Sequence, residues 1–201
     1  MEKINKKDIR LQTKEALQDF FVSHGAPSFK GGQVYQWLWQ KGAHDFDIMT
    51  NLSLEHRNIL KSYFEIKHIN IDAEQRSSDG TIKNAVKLHD QLVVESVLIP
   101  TASRTTACVS SQVGCSLDCI FCATAALKRM RNLNADEIYD QVIAIDLQSK
   151  LYHNRPLSNI VFMGMGEPLM NYKNVITAID KITHPEGLAM SPKRITLSTS
   201  G

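Results

Sequence analysis

The residues with the clearest chemical potential are cysteines grouped in one short segment. Three of the four cysteines, Cys115, Cys119 and Cys122, have the spacing C-x3-C-x2-C, and Cys108 lies just upstream. Disulfide frameworks spread cysteines across small secreted chains, whereas a tight group in a chain without a secretory-type start indicates metal or redox chemistry. Three thiolates on one loop can bind three irons of a cubane cluster and leave the fourth iron open. The spacing therefore predicts a [4Fe–4S] cluster.

A zinc site is the alternative for the same cysteines, with Cys108 or His153 as the fourth ligand. Zinc sites usually combine two C-x2-C-like pairs that are well separated in sequence, and the chain contains no second pair. The spacing therefore favours the cluster, and a zinc-binding RNA module without enzymatic activity stays open as an alternative.

A second loop of interest follows an apolar segment and reads Gly164-Met165-Gly166-Glu167-Pro168. Glycines let backbone groups approach a ligand closely. The loop lacks the G-x-G-x-x-G spacing of a dinucleotide-binding motif. By itself it is equally typical of a tight turn between a strand and a helix.

Two further residues interrupt predicted strands. Glu95 lies within an apolar strand, where Val93 and Val97 on the same face would partly desolvate it, raise its pKa and suit it to proton abstraction. An edge-strand charge that prevents aggregation is the alternative for Glu95. Cys108, between Ala107 and Val109, can equally be a small buried hydrophobic residue.

The elements that must position these residues change in type along the chain. Helical periodicity predicts helices over residues 14–24, 32–41 and 54–64, the last after Ser53 as N-cap, and places their aromatic residues in a core. Alternation and turn sequences then predict an antiparallel meander with strands over residues 72–77, 81–88 and 92–99.

From residue 101 onward, strands and helices alternate. Strands are predicted over residues 105–110, 159–163 and 194–198, and helices over residues 135–148 and 171–183. Asn134 and Glu137 form a predicted capping box at the first of these helices. Such alternation indicates a parallel sheet, in which ligands bind at the carboxyl ends of the strands. The cysteine loop and the glycine loop both follow a strand and should share that edge.

Composition excludes few functions. The net charge is +2, so charge alone does not indicate a nucleic-acid partner. Basic residues near the cysteines, Lys128, Arg129 and Arg131, and later Lys193 and Arg194, could meet phosphates or form a solvated surface. No apolar run approaches the ~18 residues that span a bilayer, so we expect a cytoplasmic protein without a membrane partner.

Longer motifs identify a resemblance. C-x3-C-x2-C with an aromatic residue before the last cysteine resembles the radical-SAM superfamily, whose enzymes use S-adenosylmethionine (SAM). Four runs resemble the RlmN/Cfr family of RNA methyltransferases within it, and resemble the RlmN branch more than the Cfr branch. They are Arg-Ser-Ser-Asp-Gly-Thr-Ile-Lys (76–83), Cys-Val-Ser-Ser-Gln-Val-Gly-Cys (108–115), Met-Gly-Met-Gly-Glu-Pro-Leu (163–169) and Leu-Ser-Thr-Ser-Gly (197–201).

The resemblance implies an α/β architecture in three parts. Residues 1–70 would form a helical, RNA-binding-like accessory domain, and residues 71–100 an antiparallel β extension. Residues 101–201 would form the first three βα units of a partial radical-SAM (βα)6 barrel.

The resemblance also implies a reaction, methylation at C2 of an adenosine in 23S rRNA and in tRNA. One SAM methylates a cysteine of the enzyme, and a second yields the radical that activates that methyl group for transfer, before a disulfide-linked release. A flavodoxin-like electron donor and a monomeric full-length protein are expected. The Cfr-type alternative is methylation at C8 of the same adenosine.

The resemblance gives roles to single residues. Gly166, Glu167, Ser198 and Phe121 would contact SAM, and the cysteine loop would hold the cluster. Glu95 would accept the C2 proton, and Cys108 would lie near the reaction centre. The methyl-accepting cysteine lies in the C-terminal third of the family, so we expect residues 1–201 alone not to complete RNA methylation and to self-associate through the strand at 194–198.

Overall fold

The computed structural model describes residues 6–200 and shows an α/β protein, which confirms the predicted fold class. The chain forms two compact units. One contains the residues up to Lys67 together with Pro185–Leu188, and the other contains His68–His184 and the residues after Leu188. None of the helices in the described range is long and apolar enough to span a membrane.

The first unit is mainly helical. It contains β1 (Lys7–Asp8), α1 (Lys14–Ser23), α2 (Phe29–Trp39), α3 (Leu54–Tyr63) and β2 (Phe64–Glu65). The three predicted helices are confirmed, although α2 begins at Phe29, before the predicted residue 32. Both of its glycines therefore lie inside the helix. Strands β1 and β2 form a short parallel pair that closes the unit.

Side-chain caps and apolar packing hold the first unit together. As predicted, the Ser53 hydroxyl accepts a hydrogen bond from the His56 amide at 3.2 Å and caps α3. The core consists of residues that the helical periodicity places on one face of each helix: Leu17, Phe21, Val34, Leu38, Trp39 and Leu60. Within this unit Lys14 Nζ lies 2.6 Å and 2.8 Å from the two carboxylate oxygens of Glu186.

The second unit is built on one six-stranded sheet. Its antiparallel part is formed by β3 (Asn70–Arg76), β4 (Ile82–Lys87) and β5 (Val93–Pro100), and its parallel part begins with β6 (Thr105–Cys108).

Between the parallel strands the chain adds a short antiparallel hairpin, β7 (Gln112–Val113) and β8 (Arg131–Asn132). The parallel part of the large sheet continues with β9 (Asn159–Phe162) and β10 (Ile195–Leu197). The strand order is β10-β9-β6-β5-β4-β3, so the predicted meander and the predicted parallel strands share one sheet.

Two helices cover one face of this sheet, α4 (Ala135–His153) and α5 (Tyr172–Thr183). The predicted capping box of Asn134 and Glu137 is present at the start of α4. Helix α4 extends beyond the predicted residue 148 to His153. The residue that ends it is Asn154, which adopts the left-handed conformation with φ of 52°.

The two faces of the sheet differ in burial. Val94, Leu98, Ala107 and Ile160 point toward the helices and are fully buried. Because strand side chains alternate between faces, Lys83, Glu95 and Cys108 lie on the opposite face, where they are exposed or half-buried. The face that carries the chemistry-bearing side chains is therefore open, while the core lies on the helical side.

Candidate functional site: three loops at one sheet edge

Three loops meet at the carboxyl ends of the parallel strands. The cysteine loop (residues 114–127) follows β6 and β7, the glycine loop (residues 164–168) follows β9, and the third loop (residues 198–200) follows β10. This is the edge that the sequence predicted for the first two loops, and the edge where open α/β sheets bind ligands.

The base of the cysteine loop is closed by the β7–β8 hairpin. The Cys115 amide donates to Leu127 O at 3.2 Å and continues the pairing beyond the hairpin. Gly114 adopts φ of +73°, and a Cβ atom there would lie 2.2 Å from Lys128 O. Only glycine fits this turn without moving the neighbouring strand, so the residue before the first cysteine fixes how the loop leaves the hairpin.

The three loop cysteines are half-buried, and all four cysteines are free rather than joined in a disulfide. The Cys122 amide donates to Cys119 O at 3.0 Å, and the Leu117 amide donates to Cys115 Sγ at 3.5 Å. Phe121 is almost fully exposed, with 94% of its surface accessible. The three thiols and the exposed Phe121 ring are therefore accessible to a cofactor that binds at this loop.

A single metal ion is not what these cysteines surround. Among residues 6–200, no three Cys, His, Asp or Glu side chains converge closely enough to hold one ion. A cubane cluster makes a different demand, because each of its thiolate ligands binds a separate iron. Three soft thiolate donors on one loop, with no fourth ligand in the group, fit a cluster with one open iron.

The glycine loop is tied to the segment between β6 and the cysteine loop. The Ser111 and Gln112 amides both donate to Met165 O, at 2.9 Å and 3.1 Å. Gly166 adopts φ of +94°, and a Cβ atom there would lie 2.4 Å from Gln112 Cβ. Gly166 thus allows the loop to lie directly on Gln112, which brings the loop against the base of the cysteine loop.

Glu167 is buried and binds backbone groups of two loops. Its two carboxylate oxygens accept hydrogen bonds from the Leu169 amide at 2.9 Å and the Ser200 amide at 3.0 Å. Burial acts to raise the pKa of Glu167, but these amides and the Thr199 and Ser200 hydroxyls outweigh it and lower the pKa. Glu167 therefore joins the glycine loop to the loop after β10.

Ser198 directly follows β10 and is exposed at the same edge. It lies next to the Thr199–Ser200 segment that Glu167 holds, and its contact with a ligand stays a prediction. Gly166, Glu167 and Ser198 are thus brought together, and Phe121 lies on the neighbouring cysteine loop.

The backbone of Glu95 contacts residues at this edge of the sheet. Its carbonyl accepts a hydrogen bond from the Ser110 hydroxyl at 2.5 Å, and its amide contacts Met165 Sδ at 3.3 Å. The expectation that neighbouring valines desolvate its side chain is wrong. The side chain is half exposed and pairs with Lys83 Nζ at 2.6 Å, because β4 presents Lys83 to the same open face.

Cys108 ends β6 on the open face, where it is paired in register with Val97 and Val161. Burial raises the pKa of its thiol above the ordinary value, although a backbone hydrogen bond with Met163 partly opposes the shift. Because Cys108 lies on a strand of the large sheet and not on the cysteine loop, it is set apart in place from the three loop cysteines.

Four buried polar side chains complete the site, and the sequence analysis gave none of them a role. Ser110 accepts from the Met165 amide at 2.8 Å, and Gln141 Oε1 accepts from the Ser110 amide at 2.9 Å. Asn171 Nδ2 donates to Ser111 O and to Leu133 O, both at 2.8 Å. Gln112 is the fourth. For Ser110 and Gln112, a run of polar residues soon after strand β6 was the signal that could have indicated them. Gln141 lies within α4 and Asn171 just before α5, where the sequence offered no such signal.

Arg131 is not available for RNA phosphates in the way that the sequence suggested. Its guanidinium makes two hydrogen bonds to the buried Glu137 carboxylate, at 2.7 Å and 2.8 Å, and a third to Asp90 at 2.6 Å. Lys128 and Arg129, in contrast, are exposed beside the cysteine loop.

Comparison with protein families covers most of the chain. Residues 8–66 match the ribosomal RNA large subunit methyltransferase N-terminal domain, and residues 109–201 match the radical SAM superfamily. The matched regions contain the helical unit and the three loops of the site.

Relatives match along nearly the full chain. A probable dual-specificity RNA methyltransferase RlmN of Christiangramia forsetii is 75% identical over 199 residues, which are 99% of this chain and 56% of that protein. The dual-specificity RNA methyltransferase RlmN of Geotalea uraniireducens is 44% identical, over 100% of this chain and 56% of that protein. The chain therefore spans a little over half the length of these relatives.

A solved structure shows the same fold. The crystal structure of a radical SAM methyltransferase from Sphaerobacter thermophilus has a TM-score of 0.86 and 35% sequence identity, and the match covers 97% of this chain and 57% of that one. In sequence, in fold and in its domain matches, the chain is therefore similar to the RlmN-type methyltransferases of the radical-SAM superfamily over the part of them that it spans.

Proposed function

We propose that this chain is the cofactor-binding part of an RNA methyltransferase that acts at C2 of an adenosine in 23S rRNA and in tRNA. The observation that carries the proposal is the meeting of three loops at one sheet edge, joined by buried hydrogen bonds to Met165 O and to the Glu167 carboxylate. The names of the relatives support RNA as the substrate.

The loop cysteines Cys115, Cys119 and Cys122 would hold a [4Fe–4S] cluster. When bound, such a cluster supplies the electron that cleaves SAM. The Leu117 amide, 3.5 Å from Cys115 Sγ, would help to orient this sulfur within the loop. With three protein ligands, one iron of such a cluster would stay open to bind SAM.

SAM would bind between the cysteine loop and the glycine loop. Gly166 and Glu167 would position its amino group, Ser198 would add a hydroxyl contact, and the exposed ring of Phe121 would lie near the adenine. Because each Glu167 carboxylate oxygen also accepts a backbone amide hydrogen bond, Glu167 would hold the two loops in place as well.

Glu95 would accept the proton that leaves C2 of the adenosine. Strand β5, which carries Glu95, runs past the carboxyl end of β6. The Glu95 backbone contacts Ser110 and Met165, so Glu95 lies at the edge where the loops meet. Lys83 holds that carboxylate on the open face of the sheet. The substrate adenosine would have to leave its stack to reach this position.

Partners beyond the RNA remain predictions from the family. An electron donor such as flavodoxin and a monomeric full-length protein belong to this group, as does a cytoplasmic location. Cys108 near the reaction centre is also a prediction, supported by its place on the open face next to Val97 and Val161.

The decisive experiment is anaerobic reconstitution of the chain with iron and sulfide. We expect about four irons and four sulfides per chain, as a cubane cluster requires. Replacing Cys115, Cys119 or Cys122 with Ala should abolish iron binding, whereas Cys108→Ala should retain it. Iron and sulfide analysis with electron paramagnetic resonance (EPR) spectra of the reduced protein measures both results.

Two outcomes would contradict the proposal. Stoichiometric zinc without sulfide would indicate a zinc module, and loss of the cluster in Cys108→Ala would show that the ligands are assigned wrongly. In a protein that carries this chain and the remaining length of its relatives, mass spectrometry of the modified adenosine would separate methylation at C2 from methylation at C8.

A further inference from the structure

One buried side chain connects the glycine loop to the β7–β8 hairpin that closes the cysteine loop. Gln112 is fully buried at the start of β7, between the glycine loop and the strand that closes the cysteine loop. We propose that Gln112 is a positioning residue that fixes the glycine loop relative to the cysteine loop and thereby sets the affinity for SAM. The inference rests on the proposed function and assigns a further residue to its site.

The two ends of the Gln112 amide bind the glycine loop and strand β8. Gln112 Oε1 accepts a hydrogen bond from the Glu167 amide at 2.9 Å, in the glycine loop. Gln112 Nε2 donates to Asn132 Oδ1 at 2.7 Å, on the strand that returns from the cysteine loop. One planar amide therefore links the glycine loop to the hairpin at the base of the cysteine loop and satisfies a donor on one side and an acceptor on the other.

The backbone and the Cβ atom of Gln112 also restrict the glycine loop. Its amide donates to Met165 O at 3.1 Å, and its Cβ atom occupies the space that any side chain at residue 166 would need. The Gln112 backbone amide thus holds the glycine loop at Met165, and the Gln112 side-chain amide holds it at Glu167. It cannot slide along the hairpin without breaking at least two of these contacts.

The segment that carries Gln112 is itself rigid. The Gln141 side chain pairs with both backbone groups of Ser110, accepting from its amide at 2.9 Å and donating to its carbonyl at 3.2 Å. Asn171 binds the carbonyl of Ser111 from a third direction. Because α4 and the glycine-loop region both hold this segment, a change at residue 112 should act on the spacing of the loops rather than loosen the whole segment.

The position of Gln112 matters because SAM would have to contact both loops at once. Its amino and carboxylate groups would meet the open iron carried by the cysteine loop, while the glycine loop would orient the amino group. A ligand held by two separate loops binds well only when their spacing is already correct, since ordering them on binding costs affinity. A buried, fully satisfied polar network provides that order in advance.

Gln112→Ala should keep the cluster but weaken SAM binding. We expect iron and sulfide content at the level of the unchanged chain, because all three cysteines remain. SAM should then perturb the EPR spectrum of the reduced cluster only at concentrations about tenfold higher, the loss that two net hydrogen bonds predict. A SAM titration followed by EPR measures this shift without any turnover.

Gln148→Ala is the matched control. Gln148 is also a buried glutamine in the same unit, and its amide exchanges hydrogen bonds with Asn84 at 2.8 Å and 2.9 Å, but it contacts neither loop. Its removal should lower thermal stability and leave the SAM titration unchanged. An equal weakening of SAM binding in Gln148→Ala would overturn the positioning role, since general loss of packing would then explain both variants.

A second route tests the same contact from the other side. Asn132→Ala removes the partner of Gln112 Nε2, so it should weaken SAM binding in the same direction, and the double variant should lose less than the two single losses combined. Wild-type SAM affinity in a cluster-loaded Gln112→Ala chain would overturn the inference. An unchanged chain that binds a cluster but never responds to SAM would instead overturn the proposed function.

Discussion

At the scale of single residues, side chains that hydrogen-bond to backbone hold the loops of the site together. Glu167 is the clearest case, because a residue expected to contact SAM uses both carboxylate oxygens on the Leu169 and Ser200 amides. A buried carboxylate that accepts amide hydrogen bonds is stabilised in its charged form. Its contribution to folding must therefore depend on pH.

We predict that Glu167→Gln destabilises the chain near neutral pH and much less in acid. The folded-state pKa of Glu167 is lowered, so its contribution is present above the unfolded pKa and is lost as the pH falls through the lower, folded value. The expected loss near neutral pH is about 1.5–3 kcal/mol, the range for hydrogen bonds to a charged group. Urea unfolding at several pH values measures the difference between variant and unchanged chain.

Asp72→Asn provides the control for this pH dependence. Asp72 is exposed on the edge strand β3, so its replacement should change the unfolding free energy by less than about 0.5 kcal/mol at every pH. A Glu167→Gln effect of equal size in neutral and acidic solution would show that the charge of Glu167 does not contribute.

At the scale of elements, an ion-pair network holds the β7–β8 hairpin against α4. Arg131 on β8 binds Glu137 with two nitrogens, and Glu137 also accepts the Asn134 amide at 2.9 Å as part of the capping box. The same guanidinium lowers the pKa of Asp90, in the turn between β4 and β5. Three elements of the second unit thus meet at one arginine.

Arg131→Lys should therefore destabilise the chain although it preserves the charge. A lysine ammonium cannot form the two parallel hydrogen bonds of the guanidinium, and the Glu137 side chain is only 4% exposed. We expect a loss of about 2 kcal/mol, below the range for a fully buried pair because Arg131 is itself partly exposed. The urea unfolding midpoint measures it.

Lys150→Ala tests whether ion pairs on α4 matter in general. Lys150 pairs with Asp146, one helical turn earlier, and the Lys150 side chain is 55% exposed. Such pairs contribute about 0.5 kcal/mol or less. A loss in Lys150→Ala as large as in Arg131→Lys would contradict the special role of the buried network.

At the scale of the whole molecule, the two edges of the large sheet are unequal. Edge strand β3 carries exposed charges at Asp72, Glu74 and Arg76, whereas edge strand β10 consists of Ile195, Thr196 and Leu197. Charged side chains protect an edge from pairing with another chain, and an apolar edge invites it. The unequal edges place the risk of association on β10.

We predict that the chain of 201 residues self-associates through β10 and that Thr196→Lys reduces this association. A lysine in the middle of the edge would have to lose its hydration when a second chain pairs there. The apparent dissociation constant should rise by at least about tenfold. Sedimentation velocity over a range of concentrations measures it.

Gln75→Lys, in the middle of the already charged edge β3, is the matched substitution and should leave the association unchanged. Equal effects of the two lysines would indicate that association depends on total charge and not on the β10 edge.

The sequence by itself determined the elements and the chemistry of their loops. Local signals suffice for this, because periodicity, caps and turn residues act within a few positions along the chain. The predicted capping box of Asn134 and Glu137, the α/β alternation and the edge at which the cysteine and glycine loops meet all agree with the structure. The family motifs added the resemblance that the comparisons then confirmed.

Only the tertiary structure decided what surrounds each side chain. The pattern of β5 suggested a desolvated Glu95, but β4 places Lys83 beside it on an open face. The position of Arg131 suggested an RNA contact, but α4 brings Glu137 to it. Gln112 had no role in the sequence, because its two partners come from segments 20 and 55 residues away. Such partners depend on strand order and helix packing, which no local pattern encodes.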